Sequence, residues 1–212
     1  MKPIQKFATH FQTLPLVAIL RGLRPSDACA IGDALVGAEF GLLEVPLNSP
    51  DPLHSIGLLA RAHPQALVGA GTVLSAQQVR DVHAAGGQLI VAPNFDSDVV
   101  RTAVELGMVC LPGIATPSEA FAALQAGAHG LKLFPAEATS PAVLKAMLAV
   151  LPAGTLVVPV GGITADAMGP WLAAGAHGFG LGSALYQPGK SALAVRQSAN
   201  AFAAAYRGCL MT

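Results

Sequence analysis

The sequence predicts an α/β protein, a (β/α)8 TIM barrel folded as one compact domain over residues 1–212. Three observations predict it. Short runs rich in Leu and β-branched residues alternate with Ala-rich segments; there are about eight, one every 20 to 26 residues, the spacing of a βα unit. Hydrophobic residues make up 53% of the chain and charged residues 11%, so most elements must be buried on more than one face, as parallel strands under helices are. No linker or composition shift divides the 212 residues, a length that suffices for one sizeable core. A doubly wound open sheet is the competing layout, but no Gly-x-Gly-x-x-Gly fingerprint follows the first strand.

The expected strands are 17–21, 42–47, 67–73, 88–93, 109–113, 130–134, 156–160 and 177–181. Before the first, Lys2 and Lys6 lead into the apolar run 14–20, which could open a secretory leader. Arg21 ends that run and no small-residue cleavage site follows, so it reads as a strand. Pro25-Ser26-Asp27, Ser75 and Ser140-Pro141 offer helix starts, and Gly37, Gly86, Gly107, Gly127 and Gly175 offer left-handed helix ends. The phrase Ala-Gly-Ala-His-Gly occurs at 126–130 and again at 174–178, a sign of repeated units. The Ala-rich segment 189–207 reads as the closing helix.

Composition also narrows the partners. Twelve basic and twelve acidic residues, with no run of either, argue against nucleic acid and anionic membrane. No stretch is long and apolar enough to span a bilayer. Three cysteines, an odd count without metal-ligand spacing, read as reduced thiols of a cytoplasmic protein. The six histidines show no paired metal spacing, and His129 and His177 fall at the N-terminal ends of strands, where no catalytic role is expected.

Barrel enzymes gather their chemistry at the C-terminal ends of the strands. Two isolated ionisable residues stand on otherwise apolar strands, Lys132 in Leu131-Lys132-Leu133-Phe134 and Glu44 in Leu42-Leu43-Glu44-Val45-Pro46. Strand alternation puts Lys132 with Phe134, and Glu44 with Leu42 and Pro46, so both ionisable groups should point inward together. Read structurally, they are a buried ion pair, which is weak evidence for stability. Read chemically, they are an amine that forms an imine with a carbonyl and a carboxyl that moves protons. That chemistry needs a neutral amine, hence a pKa far below the ordinary value of about 10.4. Burial favours it, while a charged Glu44 opposes it.

The last two strands end in Val160-Gly161-Gly162 and Gly180-Leu181-Gly182-Ser183. Glycines there are either plain turn residues or an approach for a phosphate to backbone amides, with the Ser183 hydroxyl as a further donor. Arg21 is either a surface residue or the counter-charge for a substrate carboxylate. Thr72, in Gly69-Ala70-Gly71-Thr72-Val73, is a small polar donor among residues that leave room for a ligand.

These segments together carry a resemblance. Leu20-Arg21-Gly22, Glu44-Val45-Pro46-Leu47-Asn48-Ser49, Gly69-Ala70-Gly71-Thr72-Val73-Leu74, Pro93-Asn94, Leu131-Lys132-Leu133-Phe134-Pro135 and Val160-Gly161-Gly162 resemble, in order, the 2-keto-3-deoxy-6-phosphogluconate/galactonate aldolase family. The resemblance spans nearly the whole chain. It implies a class I aldolase, usually a homotrimer, that uses no metal or other cofactor and cleaves a phosphorylated 2-keto-3-deoxy sugar acid to pyruvate and an aldehyde. It implies the Schiff base on Lys132, acid/base work by Glu44, and phosphate on the Gly161-Gly162 and Gly182-Ser183 loops. Arg21 and Thr72 match positions near the substrate carboxylate.

Many gluconate-type members carry Thr before the Gly-Gly pair and often Arg where Asn48 stands. Val160 and Asn48 here place the chain nearer the galactonate type. The gluconate epimer and 4-hydroxy-2-oxoglutarate remain alternative substrates. A sugar-phosphate isomerase or epimerase would use Glu44 as base without an imine, and a non-catalytic phosphometabolite-binding barrel would give the two buried groups no task.

Overall fold

The computed structural model describes residues 1–210. Helix α1 (Pro3–Thr13) precedes an alternation of strands and helices: β1 (Leu16–Ile19), α2 (Pro25–Val36), β2 (Leu42–Pro46), α3 (Pro52–Ala62), β3 (Leu67–Gly71), α4 (Ala76–Ala84), β4 (Leu89–Val91), α5 (Ser97–Glu105), β5 (Val109–Leu111), β6 (Gly113–Ile114), α6 (Pro117–Gln125), β7 (Leu131–Leu133), α7 (Pro141–Leu148), β8 (Val157–Pro159), α8 (Met168–Ala173), β9 (Phe179–Leu181) and α9 (Ala192–Leu210). Six strands form a curled parallel sheet in the order β5-β4-β3-β2-β1-β9, and three form a second parallel sheet in the order β6-β7-β8. Among the described residues no helix is long and apolar enough to cross a membrane.

The expected single strand at 109–113 is thus two. Leu111 is the last residue to pair with β4 and Gly113 the first to pair with β7, with Pro112 between them. Proline brings no N–H to a ladder, so the regular pairing breaks there. Its carbonyl still accepts from the Lys132 N–H at 2.9 Å.

Helix ends follow local chemistry. Ser75 and Ser140 cap α4 and α7 by accepting from the amides of Gln78 and Val143. α2 begins at Pro25 without a side-chain cap, which leaves Ser26 and Asp27 inside its first turn. Gly86, Gly107, Gly127 and Gly175 are left-handed as expected. Gly37 is right-handed instead. A Cβ there would lie 2.4 Å from the Arg196 guanidinium, so close approach, rather than a turn, explains that glycine.

Side-chain parity separates two cores. Leu16, Ala18, Leu43, Val45, Val68, Ala70, Ile90, Cys110, Leu131, Leu133 and Val157 pack outward against the helices. Val17, Leu42, Leu67, Leu89, Val91, Val109 and Leu111 face the opposite way and form an inner cluster with Phe7 of α1. The Phe7 and Phe11 rings meet at a tilt, their centroids 4.9 Å apart, so α1, which the strand periodicity does not foretell, closes the N-terminal end of this interior.

The two Ala-Gly-Ala-His-Gly repeats lie where the two sheets meet. The His129 N–H donates to the Cys110 carbonyl at 3.0 Å, and the Cys110 N–H donates back to His129 Nδ1 at 3.2 Å. His177 makes the same pair of bonds with Val157 of β8, at 3.0 and 3.3 Å. A Val160–Gly180 bridge lies further along the second junction. Each ring must be neutral, with its proton on Nε2, to accept at Nδ1. Burial lowers both pKa values, in keeping with that tautomer. The unfolded chain therefore takes up these protons first: the stability the rings contribute is whole above the ordinary histidine range of about 6.5 and falls as pH drops through it. Melting curves should show a steeper loss of Tm between about pH 7 and pH 5 in wild type than in His129→Leu/His177→Leu. Parallel pH curves would show that the rings do not act this way.

Candidate active site

Parity brings Glu44 and Lys132 to one place. Glu44 pairs with Ile19 of β1 and Gly69 of β3, deep in the six-stranded sheet. Lys132 sits on β7, the middle strand of the other sheet, between Gly113 and Val158. The two side chains line one small space with Val17, Ile19, Val91 and Val160. Exposure is 1% for Glu44 and 7% for Lys132.

Among the described residues, Glu44 Oε2 accepts no hydrogen bond, and no ion pair joins the two side chains. Burial, the dominant effect, pushes the Glu44 carboxyl up to about 7 against the opposing pull of Lys132 and Arg21. Burial likewise lowers Lys132, with Glu44 opposing and Arg21 reinforcing the change. The Phe134 ring, 4.6 Å from Nζ, favours the ammonium. A cation–π contact is worth about 0.5–2 kcal/mol, whereas desolvating an ion costs several, so the lowered direction stands.

Lys132 and Val160 also border a larger cleft of about 510 Å³ at the C-terminal ends of the strands. Arg21, Gly161, Gly162, Gly182 and Ser183 line it too, so all but two of the residues singled out in the sequence meet there. Glu44 lies below, in the small adjoining space. Thr72 follows the end of β3 at a left-handed φ of 56° and is not among the residues lining this cleft.

The cleft rim is built from backbone and a few polar links. Arg21 donates to Asn48 Oδ1 at 2.8 Å and the Gly22 N–H to Ser49 Oγ at 2.9 Å, tying the loops after β1 and β2 together. Gly161 and Gly162 hold φ values of 113° and 62°, open to glycine at little cost. Among the described residues, the amides of Gly161, Gly162, Ile163, Ser183 and Ala184 donate to no protein group. A Cβ on Gly182 would meet nothing within 4 Å. Such converging free amides beside open space can hold an anion.

Glu137 is the residue the sequence did not reveal. The Ala136 N–H donates to the Val160 carbonyl at 2.8 Å, which draws the turn after β7 onto the Gly161–Gly162 turn. A Cβ on Gly161 would lie 2.0 Å from Glu137 Oε2, and one on Gly162 2.7 Å from Glu137 Cγ. A second cavity of about 620 Å³ lies by α1 and His129 at the opposite end, away from the amine–carboxyl pair. Among the described residues, no cluster of three or more His, Cys, Asp or Glu is placed to hold a metal ion.

A desolvated amine beside a protonatable carboxyl, bordering a cleft lined in part by unpartnered backbone amides, suits carbonyl chemistry. The chain belongs to the KDPG and KHG aldolase family, whose family model matches residues 7–196. It is therefore an aldolase, a lyase. It is 49% identical over 195 residues to a 2-dehydro-3-deoxy-6-phosphogalactonate aldolase of Escherichia coli K12, covering 92% of this chain and 95% of the relative. A native KDPGal structure superposes with a TM-score of 0.92 at 48% identity, covering 94% of this chain and 97% of the other. A KDPG aldolase from Legionella pneumophila, with pyruvate captured as a covalent carbinolamine, superposes with a TM-score of 0.82 at 27% identity, covering 92% and 96%.

Gly71 tests whether the position of the carboxyl matters. A Cβ there would stand 1.9 Å from Glu44 Oε2, on a backbone without positive φ. Gly71→Ala should thus keep the fold, displace the carboxyl by about 1 Å and lower turnover about a hundredfold. Wild-type turnover in a folded variant would show that the carboxyl need not be held where it is.

Proposed function

We propose that the protein cleaves 2-dehydro-3-deoxy-6-phosphogalactonate reversibly to pyruvate and glyceraldehyde 3-phosphate. The observation that carries this is the Lys132 amine, desolvated beside Glu44 and bordering the cleft. The 49% identical relative of that name supports the substrate.

The neutral Lys132 amine attacks the C2 ketone to give a carbinolamine. Protonated Glu44 gives its proton to the departing hydroxyl, so water leaves and an iminium remains. The resulting Glu44 carboxylate takes the C4 hydroxyl proton as the C3–C4 bond breaks. The bonding electrons move into the iminium and leave an enamine, and glyceraldehyde 3-phosphate departs. Glu44 returns its proton to C3; water then adds to the resulting iminium, Glu44 takes up the proton this hydrolysis releases, and pyruvate departs, leaving the amine neutral and the carboxyl protonated again. Whether each transfer is direct or passes through water, one carboxyl able to hold and release a proton near neutral pH serves them all.

In this arrangement Arg21, held by Asn48, faces the substrate carboxylate as a bidentate donor. The free amides of Ser183 and Ala184, with those after Val160, receive the phosphate. Val160 borders both the small space and the cleft, near the scissile bond, where it supplies shape without a hydroxyl.

We further propose one domain with the two sheets joined as a closed (β/α)8 barrel. Support comes from β5 and β6 being parted only by Pro112, and from the His177 and Val160 bonds between β8 and β9. A cytoplasmic homotrimer belongs to the same proposal, resting on the family resemblance.

Borohydride added with pyruvate should fix a reduced adduct on Lys132, located by peptide mass. Lys132→Arg should remain folded and lose cleavage. An adduct on Lys6 or Lys190, whose pKa values burial also lowers, would contradict the assignment.

A further inference from the structure

The cleft wall carries one carboxylate, Glu137. It forms no hydrogen bond or ion pair with any described residue, although Arg21 and Lys132 border the same cleft. The Ala136–Val160 bond brings its turn in against Gly161 and Gly162. Its exposed side chain lies over these two residues, where a Cβ on either would meet Glu137 before any other group. The carboxylate thus stands at the open side of the cleft beside the Gly-Gly turn.

A carboxylate only accepts hydrogen bonds. Of the substrate proposed above, the ketone, the C1 carboxylate and the phosphate offer acceptors. The donors are the hydroxyls at C4 and C5. C4 adjoins the scissile bond, near Lys132 and Val160, while C5 lies toward the phosphate end, where the turn after Val160 and the Ser183 loop line the cleft. We propose that Glu137 is a specificity-determining residue that accepts a hydrogen bond from the C5 hydroxyl, which is the C2 hydroxyl of the aldehyde product. This rests on the aldolase function proposed above.

A polar group aimed at a substrate hydroxyl discriminates against the analogue that lacks it, because the site's own acceptor is then left unpaired. Removing both the acceptor and the hydroxyl should therefore cost little more than removing either. Wild type, Glu137→Gln and Glu137→Ala are compared in the condensation direction, with pyruvate and either glyceraldehyde 3-phosphate or 3-oxopropyl phosphate, which lacks the hydroxyl. In Glu137→Ala, kcat/KM for glyceraldehyde 3-phosphate should fall about ten- to a hundredfold, while that for 3-oxopropyl phosphate stays within about threefold of wild type. The amide oxygen of Glu137→Gln should rescue part of the loss. Equal losses with both aldehydes would overturn the proposal, making Glu137 a support for the turn. Gains with both would also overturn it, since Glu137 would then chiefly repel the phosphate. An unchanged ratio would overturn it as well. Borohydride trapping of pyruvate separates the two levels. An adduct formed normally in all three proteins with an unchanged aldehyde ratio removes Glu137's role alone, whereas no adduct in wild type removes the aldolase reading and this proposal with it.

Discussion

Glu44 and Lys132 are withdrawn from water together, and the rest of the site depends on how the protein meets that constraint. At 4 Å and an effective dielectric constant near 20, opposite charges attract by about 4 kcal/mol. These two make no contact that close, so their attraction is weaker, while each buried ion costs several kcal/mol in lost hydration. The ion pair and the neutral pair, carboxylic acid plus amine, hold the same number of protons. Their balance is therefore set by solvation rather than by bulk pH, and burial beside Val17, Ile19, Val91 and Val160 moves it toward the neutral form by raising the carboxyl and lowering the amine. In the proposed reaction that form supplies the nucleophile and the acid in one state.

The fold creates this environment by parity. Alternate residues of each strand face the helices and the interior, and α1 closes the far end with Phe7 and Phe11. Both ionisable groups therefore sit at the boundary between a packed interior and an open cleft. At the rim, extended strands give way to turns whose amides have no partner among the described residues.

Much of this was legible because it is periodic. Strand spacing gave the order of elements, and alternation put Glu44 and Lys132 on interior-facing positions. The paired His motifs marked equivalent structural positions. Thr72 lies just past the end of β3 at positive φ, where alternation no longer says which way a side chain points. What periodicity does not encode stayed hidden. Pro112 interrupts pairing without changing the hydrophobic run around it, and α1 belongs to no βα unit. Glu137 lies on an irregular turn, placed by a hydrogen bond between Ala136 and Val160 that no local pattern announces. Gly37 shows the same limit, since a glycine needed for close approach reads like one needed for a turn.

The claim that burial, rather than ion pairing, governs the site is tested most directly at the Glu44 carboxyl. Difference infrared spectra recorded across pH, for wild type and Glu44→Gln, report its protonation without reference to activity. A protonated-carboxyl stretch that persists to neutral pH, titrates at about 7 and is missing from Glu44→Gln is the expected result. A carboxyl fully ionised above about pH 5, within the ordinary range for glutamate, would contradict it.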